Sequence, residues 1–232
     1  MRLQSVLMAG AVTSLATVAG AATISTSASV PSGTFIASQP NANVTNSDSF
    51  RTRTNNGGDG RDLGQMFTTG ASNLQMDSFT LRLASNSGNI ANRSVTVRLV
   101  QITSDSGGNN FTFSQNLSET ANLPGTFTNG EYMTFDIADT LLQANTTYAF
   151  IVGLTTVAVE NAELGFNRND VTAPAGNRFF ETFFVSGTSR TSLALSRTGD
   201  RELQFWVNAV PEPASIGLLA LGGLLCVRRS RA

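Results

Sequence analysis

Two pairs of carboxylates stand close enough along the chain to invite acid–base chemistry: Glu160 with Glu163, and Asp136 with Asp139. Glycoside hydrolysis needs two carboxyl groups flanking one bond, one to protonate the leaving oxygen and one to attack or activate water. Nothing in the spacing puts either pair in a cleft. Asp136 reads as an outward strand position and Asp139 as a turn, so no catalytic residue is assigned and the chain is not expected to be an enzyme. A second chemistry is offered by the loop Asn55-Asn56-Gly57-Gly58-Asp59-Gly60-Arg61-Asp62. Oxygen ligands on Asn55, Asp59 and Asp62, spaced along a glycine-rich loop, suit Ca²⁺, a hard cation that takes many oxygens. The spacing is not that of an EF-hand and Arg61 brings a cation inside the loop, so a solvated turn is the plainer reading and no cofactor is required. Asp105 with Asn109 and Asn110 is a sparser version of the same pattern. The third candidate is Trp206, the only tryptophan. If Phe205 and Val207 face the core, Trp206 points the other way and could stack on a sugar ring; if both faces of its strand are covered, it is a core residue.

What is missing narrows the chemistry further. There is no His, the commonest general base and metal ligand, and all 15 basic residues are Arg. The absence of Lys removes Schiff-base and P-loop chemistry. The net charge is −1 and the Arg are scattered singly, which is not the clustered basic surface of a nucleic-acid-binding protein. The single cysteine, Cys226, lies in a C-terminal apolar run, so the domain has no disulfide. Charged residues make up 13% against 41% hydrophobic, which is a folded, polar-uncharged composition and not a disordered one.

The elements that must position these residues are strands. Phe79, Leu81 and Leu83 alternate with Thr80 and Arg82; Val95, Val97 and Leu99 alternate with Thr96 and Arg98. Met133, Phe135 and Ile137 form a third set, Tyr148, Phe150, Val152 and Leu154 a fourth, and Leu203, Phe205, Val207 and Ala209 a fifth. Period-2 alternation of this kind marks half-buried strands. Residues 63–69, 111–117, 163–167 and 179–185 are weaker strand candidates, and 139–144 has room for one helical turn. Residues 85–92 and 105–110 read as loops. Roughly nine or ten short strands without helices imply an all-β fold of two packed antiparallel sheets, a jelly-roll-like sandwich.

Both ends read as targeting segments. Arg2 precedes an apolar stretch over residues 3–18, and Ala19-Gly20-Ala21 has the small-x-small pattern of a signal-peptidase site, which places cleavage after Ala21. At the other end Pro211 and Pro213 stop any preceding strand, because proline lacks an N–H. Residues 214–227 are 14 apolar or small residues, about 21 Å as a helix, short of a ~30 Å hydrocarbon core. Arg228, Arg229 and Arg231 follow, and the positive-inside rule keeps them cytoplasmic with the domain outside. The expected organisation is a signal peptide over 1–21, a β-sandwich over 22–209, and a membrane segment over 210–232.

Val210-Pro211-Glu212-Pro213, a short Gly/Leu/Ala-rich run and an Arg-rich end resemble the PEP-CTERM sorting signal of Gram-negative surface proteins. The resemblance implies recognition by an exosortase, cleavage near residues 211–213, and export to the cell surface or beyond in an organism that makes exopolysaccharide. A second resemblance covers the middle of the chain. Residues 63–70 (LGQMFTTG), 79–83 (FTLRL), 133–136 (MTFD) and 142–150 look like the jelly-roll "choice-of-anchor" modules found upstream of such tails, which are similar in outline to carbohydrate-binding modules. The combined expectation is a non-enzymatic surface protein that binds extracellular polysaccharide or a matrix partner. A self-associating structural protein and a hydrolase on the same scaffold are the alternatives.

Overall fold

The computed structural model describes residues 21–40, 43–52, 59–88, 90–105, 111–155, 161–169, 179–185, 195–199 and 201–210. The segments read as signal helix and membrane helix therefore lie outside the described residues, apart from Ala21 and Val210. Among the described residues there is no helix, and none long and apolar enough to cross a membrane.

The strands are β1 (Thr23–Ser27), β2 (Phe35–Gln39), β3 (Asn43–Thr52), β4 (Asp59–Thr68), β5 (Leu74–Gly88), β6 (Ser94–Asp105), β7 (Phe111–Asn122), β8 (Tyr132–Leu142), β9 (Thr147–Leu154), β10 (Ala162–Asn169), β11 (Phe179–Val185), β12 (Leu195–Gly199), β13 (Glu202–Leu203) and β14 (Phe205–Ala209). The fold is all-β, as expected, but it is not divided into two separate sheets. One antiparallel sheet of 14 strands runs β1-β8-β5-β10-β3-β4-β9-β6-β7, with β14 and β2 on one flank of β5, β13 on β10, and β11 and β12 on β4. The strand count exceeds the expectation because polar segments such as β1 and β3 pair through their backbones without an apolar alternation to announce them.

Continuity comes from β5, whose 15 residues serve two neighbourhoods. Its first part pairs with β8 and β14, and from Leu83 onward it pairs with β10. Irregular register at Met76/Ser78 and at Gly165/Phe166 lets the strand bend between them. The sheet curls until β1 and β7 come close, and the Ala138 N–H of β8 donates to Glu119 Oε2 of β7 at 3.2 Å. It is nearly closed.

The interior is aromatic. Phe79 of β5 stacks on Phe135 of β8 at 4.8 Å and on Phe150 of β9 at 4.2 Å. Phe205 meets Phe150 edge-on at 5.9 Å, and Phe166 meets Phe135 edge-on at 6.4 Å. All five rings are buried. The column ties β5, β8 and β14 to β9 and β10 across the interior, and each such pair adds about 0.5–1.5 kcal/mol beyond burial. Residues 139–144 do not form a helical turn: β8 runs on to Leu142, and the chain reverses through Asn145 at φ 51°.

Candidate functional site

Trp206 alternates with Phe205 and Val207 as the sequence requires, and those two face the core. Its own face is nevertheless closed. Trp206 is 3% exposed, Thr80 beside it 1% and Tyr132 7%. Tyr132 meets the indole edge-on at 5.3 Å, and the Arg82 guanidinium lies 5.6 Å from the centre of the Tyr132 ring. The reason is the connection from β1 to β2. These strands pair with β8 and β14, four spacings apart in the order β1-β8-β5-β14-β2, about 19 Å. Ser27 sits level with Arg82 and Phe35 level with Ser78. The eight Cα steps from Ser27 to Phe35 reach at most about 29 Å, which favours a diagonal path over the outer face. That crossover, with Pro31 half-buried in it, passes over the sheet on which Trp206 lies. The indole is a packed side chain, not an open stacking platform.

The two carboxylate pairs fare differently. Asp136 and Asp139 are exposed and share their corner of β8 with Asp77 of β5. The Asp136 carboxyl is held above its ordinary 3.8, first by loss of solvent and then by the charges of Asp77 and Asp139, against a lowering hydrogen bond from Thr23. Glu163 is tied down: its carboxylate accepts the Ser49 hydroxyl, and Arg61 donates to Ser49 O and Oγ at 2.7 Å each. Glu160 lies outside the described residues, so that pair is not brought together here.

Of the oxygen-rich loop, Asn55 lies outside the described residues. Asp59 and Asp62 belong to β4, a paired strand and not a loop. Asp62 is 2% exposed and meets Arg98 Nη1 at 3.4 Å. Its carboxylate lies directly on Gly153, where an added Cβ would sit 1.7 Å from Asp62 Oδ1. The loop thus yields a buried ion pair. No group of three or more His, Cys, Asp or Glu able to hold a metal occurs among the described residues. Asn109 and Asn110 lie outside the described residues.

A second polar assembly was not legible from spacing. Asp48 of β3 pairs with Arg168 of β10 and lies 3.8 Å from Arg201, and Gln39 donates to the buried Glu202 at 2.7 Å. Gln65, fully buried, accepts the Leu203 N–H at 2.9 Å and donates to Met66 O at 3.0 Å. Buried polar groups of this kind must be satisfied to be tolerated, and they hold the ends of β3, β10 and β13 together. Their partners are more than a hundred positions apart, so no local pattern betrays them.

The last described residues show how the fold delivers its tail. β14 is held on both sides, by β5 and by β2. The Ala209 N–H donates to Thr34 O at 3.1 Å and the Val210 N–H to Gln75 O at 2.8 Å. Pro211 follows at once and has no N–H to continue. Hydrogen bonding to the domain thus runs to the residue before the proline.

Residues 209–232 match the PEP-CTERM protein-sorting motif. The chain carries that sorting signal. The match begins at Ala209, one residue before the boundary read from the sequence, and takes in Val210, Pro211, Glu212, Pro213, Arg228, Arg229 and Arg231. The motif implies export, surface sorting and processing by an exosortase. No curated protein is matched by the chain.

Proposed function

We propose that the chain loses residues 1–21 to signal peptidase, is held transiently in the inner membrane by residues 214–227, is cut near Pro211-Glu212-Pro213, and then acts at the cell surface as a non-enzymatic module that binds extracellular polysaccharide or a matrix partner. The observation that carries the binding reading is β7. Thr112, Ser114, Gln115, Asn116, Ser118, Thr120 and Asn122 are exposed along this terminal strand of the sheet. A long row of uncharged donors and acceptors suits the hydroxyls of a polysaccharide. In this reading the two halves of the curled sheet act as the facing layers of a jelly roll, and no cofactor takes part. A glycan array with the exported protein tests it: binding to a polysaccharide class, lost when Gln115, Asn116 and Ser118 become Ala, is expected. No binding to any glycan, or turnover in a glycosidase and esterase panel, would refute it. The same strand supports self-association as the second reading, since β6 is its only hydrogen-bonded strand partner among the described residues. Sedimentation of the released domain over a concentration series separates the two.

The sorting half is tested separately. Replacing Pro211, Glu212 and Pro213 together by Ala should leave export intact and trap an uncleaved inner-membrane form, read by fractionation and mass spectrometry of the C-terminal peptide. Release at the normal rate would make the tail an ordinary anchor.

A further inference from the structure

The rim of the sheet around Val210 has features that the sorting signal alone does not account for. Four positions separate Val210 from Ala214, the first residue of the apolar run. Fully extended, they span at most about 14 Å. The headgroup layer of one leaflet takes up about 5–8 Å of that. Because the Val210 N–H is bound to Gln75 O, the tether has no slack on the domain side. While the chain is anchored, the rim has little room to stand away from the lipid.

The rim's composition fits that position. Three segments surround the exit: residues 34–35 (TF), 70–76 (GASNLQM) and 140–147 (TLLQANTT). None contains a charged residue. Gln75 pairs with Leu141, and Leu141 is 58% exposed, one of two large hydrophobic residues so exposed among those described. The rim is also rigid. The Asn145 N–H donates to Gly70 O at 2.8 Å, the Ala144 N–H to Asn73 Oδ1 at 2.8 Å, and the Thr69 hydroxyl to Gln143 O at 2.6 Å. The first charges above it are Asp77, Asp136 and Asp139, which an anionic leaflet repels, so they limit how far the rim can settle.

We propose that this rim, centred on Gln75, Leu141 and Val210, is a lipid-apposed surface that rests on the phospholipid headgroups while the chain is anchored. The proposal rests on the reading of residues 214–227 as a membrane segment. A docked rim holds Val210, the residue before the Pro211-Glu212-Pro213 motif, at the membrane surface.

The test uses the full chain with Cys226→Ser, reconstituted in phosphatidylethanolamine–phosphatidylglycerol vesicles that carry a headgroup nitroxide. A fluorophore is placed by Leu141→Cys or, for comparison, by Thr128→Cys. Thr128 is exposed in the turn that bonds to Leu83, eight residues along β5 from Gln75 and so about 26 Å away. Quenching several-fold stronger at position 141 than at 128 is expected, and a long Gly/Ser insertion after Val210 should abolish the difference. Equal quenching at both positions in chains that float with the vesicles overturns the rim alone. Failure of the chain to float overturns the anchoring reading with it.

Discussion

Asp62 and Asp136 are both carboxylates on sheet strands, and their surroundings could hardly differ more. Asp62 is almost fully buried on the β4–β9–β6 face, on the same side as the small apolar cluster of Met66, Val100, Ala149 and Ile151, with Arg98 3.4 Å away. Asp136 is exposed, with two like charges for neighbours. The comparison teaches that Asp62 is tolerated inside the fold with a cation beside it, whereas Asp136 stays at the surface among like charges. Burial, not spacing, decides which acid is structural. One acid is matched by a cation, and the other stands among like charges that repel it.

The comparison can be broken most forcefully at Arg98. Arg98→Met should cost about 3–5 kcal/mol, because it leaves the Asp62 charge buried beside apolar side chains. The urea midpoint should fall accordingly, and adding Asp62→Leu should recover most of the loss; no recovery would mean that Arg98 acts by packing alone. Gly153→Ala is the next largest effect. The new Cβ would overlap the Asp62 carboxylate, and overpacking of this kind costs about 1–3 kcal/mol or more. A melting temperature equal to the parent's would show that Asp62 does not rest on Gly153. Smaller still is Asp136→Asn. A carboxyl whose folded pKa is raised favours the folded state below its unfolded value and loses that contribution as pH rises through the folded value. The Asn variant should therefore melt slightly higher at neutral pH, and the gap should close on acidification toward pH 3.8 and below. A gap that widens in acid would reverse the assignment. The smallest effect expected is none: millimolar Ca²⁺ added to chelated protein should leave the melting temperature unchanged, since the Asp62 carboxylate is committed to Arg98. A rise would show by linkage that calcium binds the folded chain.

Strands with strong alternation were legible. The runs containing Phe79, Val97, Phe135, Phe150 and Phe205 are β5, β6, β8, β9 and β14, and their apolar residues form the core. The weaker candidates at residues 63–69, 111–117, 163–167 and 179–185 are strands too. β1 and β3 escaped notice because Thr23-Ile24-Ser25-Thr26-Ser27 and Asn43–Thr52 offer little apolar alternation, and their pairing depends on neighbours far along the chain. The loop reading of residues 59–62 failed for a related reason: glycine and aspartate are turn formers locally, but β11 and β3 supply this end of β4 with backbone partners that outweigh that preference. Trp206 shows the limit of alternation itself. Period-2 reasoning gave the correct face and could not reveal that the β1–β2 crossover lies on it.

The placement of β14 has a consequence for the order of assembly. Export delivers the N-terminal end first, so β2 and β5 reach the far side of the membrane long before the strand that joins them. Until β14 arrives, β2 has no strand to pair with among those described, and one flank of β5 stands open as an unsatisfied edge. Phe205 and Val207, which complete the core, are the last apolar side chains in before the sorting signal. The sheet is therefore a zip whose slider is its own C-terminus. A chain cut or stalled before β14 never brings Val210 to Gln75, and its β2 and β5 stay unjoined.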